Sequence, residues 1–204
     1  MVLYLTQVIP RRQTGGTRVS MVRGTASENP RSASLAAMEA RKICVLGDFA
    51  TGKTSLVARF VHDSFLTTYH TTVGVKVDAR DLVLADGRAR RLAIWDVAGT
   101  GTPTELFLRY LRGASGYLLV ADATRAETLE RALEIRAAVE SLLPAIPSVN
   151  LVNKVDLAER QELDEVRVAR LAGAGEGWLR GSARTGENVE RAFARLLERM
   201  ERAA

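Results

Sequence analysis

The chain has one cysteine, Cys44, in 204 residues. A single thiol excludes an internal disulfide framework and a cysteine-based zinc site. Cys44 sits in the apolar run Ile43-Cys44-Val45-Leu46, which reads as a strand with a small buried hydrophobe in it. Histidine is equally scarce, with His62 and His70 alone, too few for a metal cluster. No apolar run approaches the ~20 residues a membrane-spanning helix needs, so no transmembrane segment is expected. The apolar start, Val2 to Pro10, has no basic region before it and makes a poor signal peptide. The C-terminus offers no cysteine to prenylate and Met1 is not followed by glycine, so no lipid anchor is expected. These absences set the expectation of a cytoplasmic protein.

Charge is unevenly placed. Residues 1–42 hold seven of the 29 bases and two of the 24 acids, which accounts for the whole net charge of +5. The remainder is neutral, so the basic balance gives no reason to expect nucleic acid as a partner. Residues 1–40 mix Arg, Ser, Thr, Gly and Pro without periodicity and read as a disordered basic tail. Three readings of that tail stay open: an extension without function, a true start at Met21 or Met38, or a segment for a membrane or partner.

From residue 41 to 204 strand and helix patterns alternate, which predicts one α/β domain. Expected strands are Lys42 to Leu46, Val75 to Leu84, Arg90 to Val97, Gly116 to Ala121, Val149 to Val152 and Trp178 to Gly181. Expected helices begin at Gly52 and near Glu187 and run over Thr128 to Leu143 and Glu162 to Leu171. Asp86-Gly87 signals a hairpin between the second and third strands. The fold expected is therefore a six-stranded, mostly parallel sheet with one antiparallel strand and helices on both faces.

Four short segments carry chemistry. Gly47-Asp48-Phe49-Ala50-Thr51-Gly52-Lys53-Thr54 matches G-x-x-x-x-G-K-[ST], between a strand and a helix as a P-loop requires. Glycines at both ends let the backbone curl so that N–H groups face a phosphate chain, and the helix N-terminus adds positive potential. Gly47, Ala50, Thr51, Gly52, Lys53, Thr54 and Ser55 are the expected phosphate-binding residues, with Lys53 on the outer phosphates and the Thr54 hydroxyl on Mg²⁺. Asn153-Lys154-Val155-Asp156 supplies the base. A carboxylate at Asp156 can accept from guanine N1–H and its 2-amino group, whereas adenine would leave it unpaired. Lys154 can lie along the base, and Asn153 can tie its loop to the phosphate loop. Trp95-Asp96-Val97-Ala98-Gly99 puts Asp96 where it can hold Mg²⁺ through water and the Gly99 amide where it can meet a terminal phosphate. Ser182-Ala183-Arg184 offers backbone N–H groups to the guanine oxygen.

The order of these motifs resembles that of the Ras superfamily of P-loop NTPases, over about residues 42–202. Phe60-Val61-His62-Asp63, Tyr69-His70-Thr71-Thr72-Val73-Gly74, Arg112-Gly113-Ala114 and Ser182 to Val189 resemble the Rab branch. The resemblance implies a small GTPase domain that binds GTP and GDP with Mg²⁺ as cofactor and works with regulatory and effector proteins. It further implies that Thr72 is the switch I threonine on Mg²⁺, that Tyr69 lies over the phosphates, and that Phe65 packs edge-on to guanine.

Catalysis is where the sequence departs from that family. Thr100 stands where a glutamine usually orients the attacking water, and threonine has no amide to grip both water and phosphate. Phe49 stands where a small residue is usual, and its ring would crowd the γ-phosphate. Thr102-Pro103-Thr104 is also unusual for switch II. A GTPase with weak unaided hydrolysis is expected; the alternative is a GTP-binding interaction module with little or no hydrolysis. Arg109 or Arg112 acting in cis is a further option, though a solvated arginine on a helix, distant from the phosphates, is the favoured reading of both. A P-loop ATPase or small-molecule kinase is disfavoured by Asp156 and by the lack of any evident acceptor-binding segment.

Overall fold

A computed structural model describes residues 39–65, 71–84, 86–99, 105–172 and 177–203. The expected tail lies outside these residues except for its last two positions, Glu39 and Ala40, which open the first strand. Strands β1 (Glu39–Gly47), β2 (Val75–Val83), β3 (Ala89–Val97), β4 (Gly116–Asp122), β5 (Ser148–Asn153) and β6 (Trp178–Arg180) form one sheet in the order β2-β3-β1-β4-β5-β6. β2 runs antiparallel to β3, and the other pairings are parallel. The hairpin turn is made at Gly87, whose φ of 83° suits glycine, and Asp86 Oδ1 accepts the Arg88 amide at 3.0 Å.

The sheet alternates its side chains between two apolar clusters. Ile43 and Val45 of β1 face α1 (Lys53–His62) and α5 (Val189–Ala203), where Phe60 and Phe193 stack at 3.9 Å between centroids. Such a pair adds about 0.5–1.5 kcal/mol to what area burial supplies. Cys44 and Leu46 face the opposite way, toward α2 (Glu105–Tyr110), α3 (Glu127–Leu142) and α4 (Glu165–Ala172). Burial pushes the Cys44 thiol up to about 12, as suits an inert core residue. Burial of both faces explains why β4 reads as an unbroken apolar run. Among the described residues no helix is long and apolar enough to cross a membrane.

Three helices differ most from the sequence expectation. α2 was not expected, because its six residues are too few to show a period. α4 begins at Glu165 rather than Glu162, since Asp164 Oδ1 accepts the Arg167 amide at 2.6 Å and caps the helix there. Glu162 is engaged elsewhere, with Oε2 accepting the Ala126 amide at 2.9 Å. α5 begins at Val189 rather than Glu187, because Gly186 (φ 86°) and Asn188 (φ 53°) hold a left-handed turn before it.

The order reverses around β1: the chain leaves it for β2 and β3 on one side and later for β4 to β6 on the other. Open α/β sheets leave a crevice at the carboxyl ends of such strands. Gly47, Asp122 and Asn153 close β1, β4 and β5 at that edge. Gly99 and Ser182 follow β3 and β6 by two residues on the same side.

Candidate functional site

The loop from Gly47 to Gly52 is shaped by left-handed backbone at three positions: Gly47 (φ 147°), Ala50 (φ 59°) and Gly52 (φ 89°). A Cβ on Gly47 would lie 2.2 Å from the Val120 carbonyl oxygen, and one on Gly52 2.3 Å from Asn153 Nδ2. Both approaches are closed to any other residue. Alternation of left- and right-handed backbone makes a concavity of N–H groups, and the first amides of α1 have no intrahelical acceptor.

Side chains hold five successive carbonyls of this loop. Lys53 Nζ donates to Gly47 O at 3.0 Å and Asp48 O at 2.8 Å. Arg125 Nη2 donates to Phe49 O at 2.6 Å, and Lys154 Nζ to Ala50 O at 2.8 Å. Asn153 Nδ2 donates to Thr51 O at 2.8 Å. Burial pulls the Lys53 ammonium down to about 8 against the attraction of Asp96 and Asp48.

Three oxygen donors meet beside the start of α1. The Thr54 hydroxyl donates to Asp96 Oδ2 at 2.5 Å and shares a 2.8 Å hydrogen bond with the Thr72 hydroxyl. Asp96 Oδ1 is buried and has no hydrogen-bond partner. Burial raises the Asp96 carboxyl above its ordinary value, against Thr54 and Lys53, which lower it. An unpartnered buried carboxylate oxygen beside two hydroxyls fits a hard divalent cation that prefers oxygen. Clusters of three or more His, Cys, Asp or Glu that could hold a metal do not occur among the described residues.

At the far end of the crevice, Asn153 joins two loops. Its Nδ2 reaches Thr51 while its Oδ1 accepts the Ala183 amide at 3.0 Å. Asp156 Oδ1 accepts from Ser182 Oγ at 2.6 Å, and Ser182 Oγ in turn accepts the amides of Arg184 and Thr185 at 3.1 Å. Lys154 adopts φ 67°, a strained left-handed conformation for a lysine, which places its ammonium over the phosphate loop. The expected phosphate-, base- and metal-binding residues Gly47, Ala50, Thr51, Gly52, Lys53, Thr54, Asn153, Lys154, Ser182, Ala183 and Asp96 thus come together along one edge. Ser55 is buried in the first turn of α1. Gly99 packs on the phosphate loop, and a Cβ there would lie 2.5 Å from the Phe49 nitrogen. Phe65, just beyond α1, is partly exposed, as is the Phe49 ring at 50%. Arg184 lies at the rim, 4.0 Å from Asp156 Oδ2. Tyr69, His70, Thr100 and Thr102 to Thr104 lie outside the described residues. Arg109 and Arg112 are exposed, and the Arg112 carbonyl accepts from Lys42 Nζ.

Three residues not expected from sequence hold the edge together. The Asp122 carboxylate, wholly buried, accepts from Lys154 Nζ at 2.6 Å and Arg125 Nε at 3.3 Å. Burial works to raise that carboxyl, but hydrogen bonds from Lys154 and Thr124 outweigh it and hold it low. The available signal was an aspartate ending an otherwise apolar strand at the ligand edge. Arg59 of α1 donates to the Ala183 carbonyl at 3.0 Å and the Arg184 carbonyl at 2.7 Å, bracing the Ser182 loop from behind.

Comparison with known proteins agrees with this geometry. The model of the Ras family matches residues 42–202. Ras-related protein Rab-7L1 of Homo sapiens is 34% identical over 170 residues, covering 79% of this chain and 82% of the relative. Ras-related protein Rab-8B of Bos taurus is 34% identical over 157 residues, covering 76% of this chain and 75% of the relative. Ras-related protein Rab-8 of Diplobatis ommata shares the same identity over the same length. On a family match across most of its length and relatives a third identical, the chain belongs to the Ras family and is a Rab-like small GTPase, a GTP-binding molecular switch.

Proposed function

We propose that this switch holds GTP or GDP with its phosphates in the Gly47–Ser55 loop and its base against Asp156, and that it hydrolyses GTP slowly unless a partner assists. The supporting observation is Asn153, which hydrogen-bonds both the phosphate loop and the Ser182 loop, so that the two half-sites are held at a fixed spacing. Nucleotide binding in this reading releases Lys53 from its carbonyls toward the outer phosphates. Asp156 accepts from the guanine edge, while the Ala183 and Arg184 amides approach the guanine oxygen. Phe65 and Tyr69 cover base and phosphates.

Ras family GTPases work with Mg²⁺ and with regulatory and effector proteins. Here Thr54, Thr72 and, through water, Asp96 would hold the ion. When bound it neutralises charge on the β- and γ-phosphates. Thr72 would thereby report the γ-phosphate to the segment before β2. The Gly99 amide is the second reporter, one residue before Thr100. A domain from residue 41 onward behind a basic tail, and a cytoplasmic setting suited to a lone buried thiol, complete the proposal.

Slow hydrolysis rests on Thr100 and Phe49. Threonine cannot bridge a water and a phosphate oxygen as an amide does, and Phe49, half exposed, has its backbone against Gly99. Single-turnover hydrolysis of bound GTP by the native chain and by Thr100→Gln tests this. The proposal expects the native rate to rise at least about 10-fold on substitution. A native rate already matching ordinary Rab proteins would refute it.

A further inference from the structure

Three cations grip the phosphate loop of this chain, Lys53, Lys154 and Arg125, and the last two hang from one buried acid. Asp122 ends β4 with its carboxylate out of solvent, and its Oδ2 receives both Lys154 Nζ and Arg125 Nε. From that shared anchor the two cations reach consecutive carbonyls, Ala50 O from Lys154 and Phe49 O from Arg125.

Arg125 is itself fixed by its own loop. Its amide donates to the Asp122 carbonyl at 3.1 Å. The buried Thr128 hydroxyl donates to the Arg125 carbonyl at 2.7 Å and accepts the Asp122 amide at 2.8 Å. Asp122 Oδ1 takes both the amide and the hydroxyl of Thr124. These bonds fix the Arg125 backbone, and Nε on Asp122 then aims the guanidinium at the Phe49 carbonyl, so its grip needs less ordering than that of a free side chain.

Phe49 is the residue of the loop that most needs such a grip. Its ring is half exposed, and its amide is taken by the carboxylate of Asp48 at 2.7 Å. Gly99 presses on its backbone from the β3 side. Among the described residues, the one hydrogen bond on the Phe49 carbonyl that spans elements is the one from Arg125.

Resting on the phosphate-loop reading above, we infer that Arg125 is a positioning residue for nucleotide retention: anchored on Asp122, it fixes the Phe49 peptide and so holds the phosphate cradle in shape. It is not placed to act on the γ-phosphate. A carbonyl in an anion-binding loop points away from the anion that the amides face, and the guanidinium lies on that carbonyl. The guanidinium is also near enough to Lys53 to oppose its charge, which ties the two cations to one cradle.

Arg125→Ala and Arg125→Gln, the latter keeping much of the stem, are compared with native protein by mant-GDP release in stopped flow and by single-turnover hydrolysis of bound GTP. Both variants release mant-GDP about 10-fold faster, equivalent to about 1.4 kcal/mol for a partly exposed charged hydrogen bond. Arg125→Lys restores the retention only in part, since one ammonium replaces the Nε and Nη2 that reach Asp122 and the Phe49 carbonyl separately. The single-turnover rate of GTP that stays bound falls by a smaller factor than release rises, since the guanidinium lies on a carbonyl rather than on the γ-phosphate. Unchanged release in both variants overturns the inference. Unchanged release with collapsed hydrolysis overturns it in favour of a transition-state role. Native protein that fails to hold mant-GDP would instead refute the phosphate-loop reading itself.

Discussion

Replacing Asn153 by alanine removes two hydrogen bonds at once, because one amide spans two loops. The lost bonds are Nδ2 to Thr51 O at 2.8 Å and the Ala183 amide to Oδ1 at 3.0 Å. Thr51 and Ala183 are both buried, so a carbonyl and an amide are stranded together. A hydrogen bond is worth about 0.5–1.5 kcal/mol net, but a stranded buried partner costs about 1–3 kcal/mol. Water entering the crevice relieves part of this, which leaves about 2–4 kcal/mol in total. Part falls on the folded state and part on nucleotide retention. Thermal unfolding of nucleotide-free protein measures the first, and mant-GDP release measures the second. About 2 kcal/mol in retention alone is about 30-fold in the off-rate. Asn153→Asp separates the bonds, since it keeps an acceptor for Ala183 and loses the donor to Thr51. Release changed by less than about 3-fold, with the whole cost appearing in thermal stability, would refute the view that Asn153 couples the phosphate and base loops.

Other positions give sharper signs. Gly52→Ala puts a Cβ 2.3 Å from Asn153 Nδ2 at φ 89°, so mant-GDP affinity is expected to fall at least about 30-fold, from overpacking and backbone strain together. Asp156→Ala removes the acceptor for the guanine edge, and fluorescence titration should show the preference for mant-GDP over mant-ADP shrinking by at least about 10-fold. Glu201 joins Arg88 and Arg90 at the opposite end of the sheet, at 2.9 Å from each. The hydrogen bond from Arg90 holds its carboxyl below the ordinary 4.5. A depressed folded value gives stability that is present above pH 4.5 and lost as pH falls through the folded value. Glu201→Gln should therefore lower the melting temperature at pH 7 and lower it much less at pH 3; an equal loss at both would exclude the ion pair as the cause.

How much of this was legible in the sequence follows from the range of each interaction. The phosphate loop could be read because its chemistry lies in eight consecutive residues that also mark a strand-to-helix turn. Asn153 and Asp156 could be read because they share a tetrapeptide at a strand end. The tie from Asn153 to the phosphate loop was expected, and the structure adds its second arm to Ala183. Asp122 showed only as an aspartate ending an apolar strand, and the partners of Asp122, Arg125 and Arg59 could not be read, since each acts across the sheet edge on a residue far away in sequence. Asp122 meets Lys154 at a separation of 32 residues, and Arg59 meets Arg184 at 125. The Arg80–Glu190 contact under Phe60 hides for the same reason. The short α2 offered fewer than two turns of pattern, and the start of α4 was decided by which acid capped it. Thr100 and Tyr69 lie outside the described residues, so their roles still rest on motif order.

The central claim is a site that holds nucleotide phosphates in the Gly47 loop and chooses guanine through Asp156. Equilibrium titration of nucleotide-free native protein with mant-GDP and mant-ADP, in Mg²⁺ buffer, tests both halves at once. Tight binding of mant-GDP and at least about 100-fold weaker binding of mant-ADP are expected, because adenine leaves the half-buried Asp156 carboxylate without its two base donors. Comparable affinity for the two nucleotides, or none for either, would contradict it.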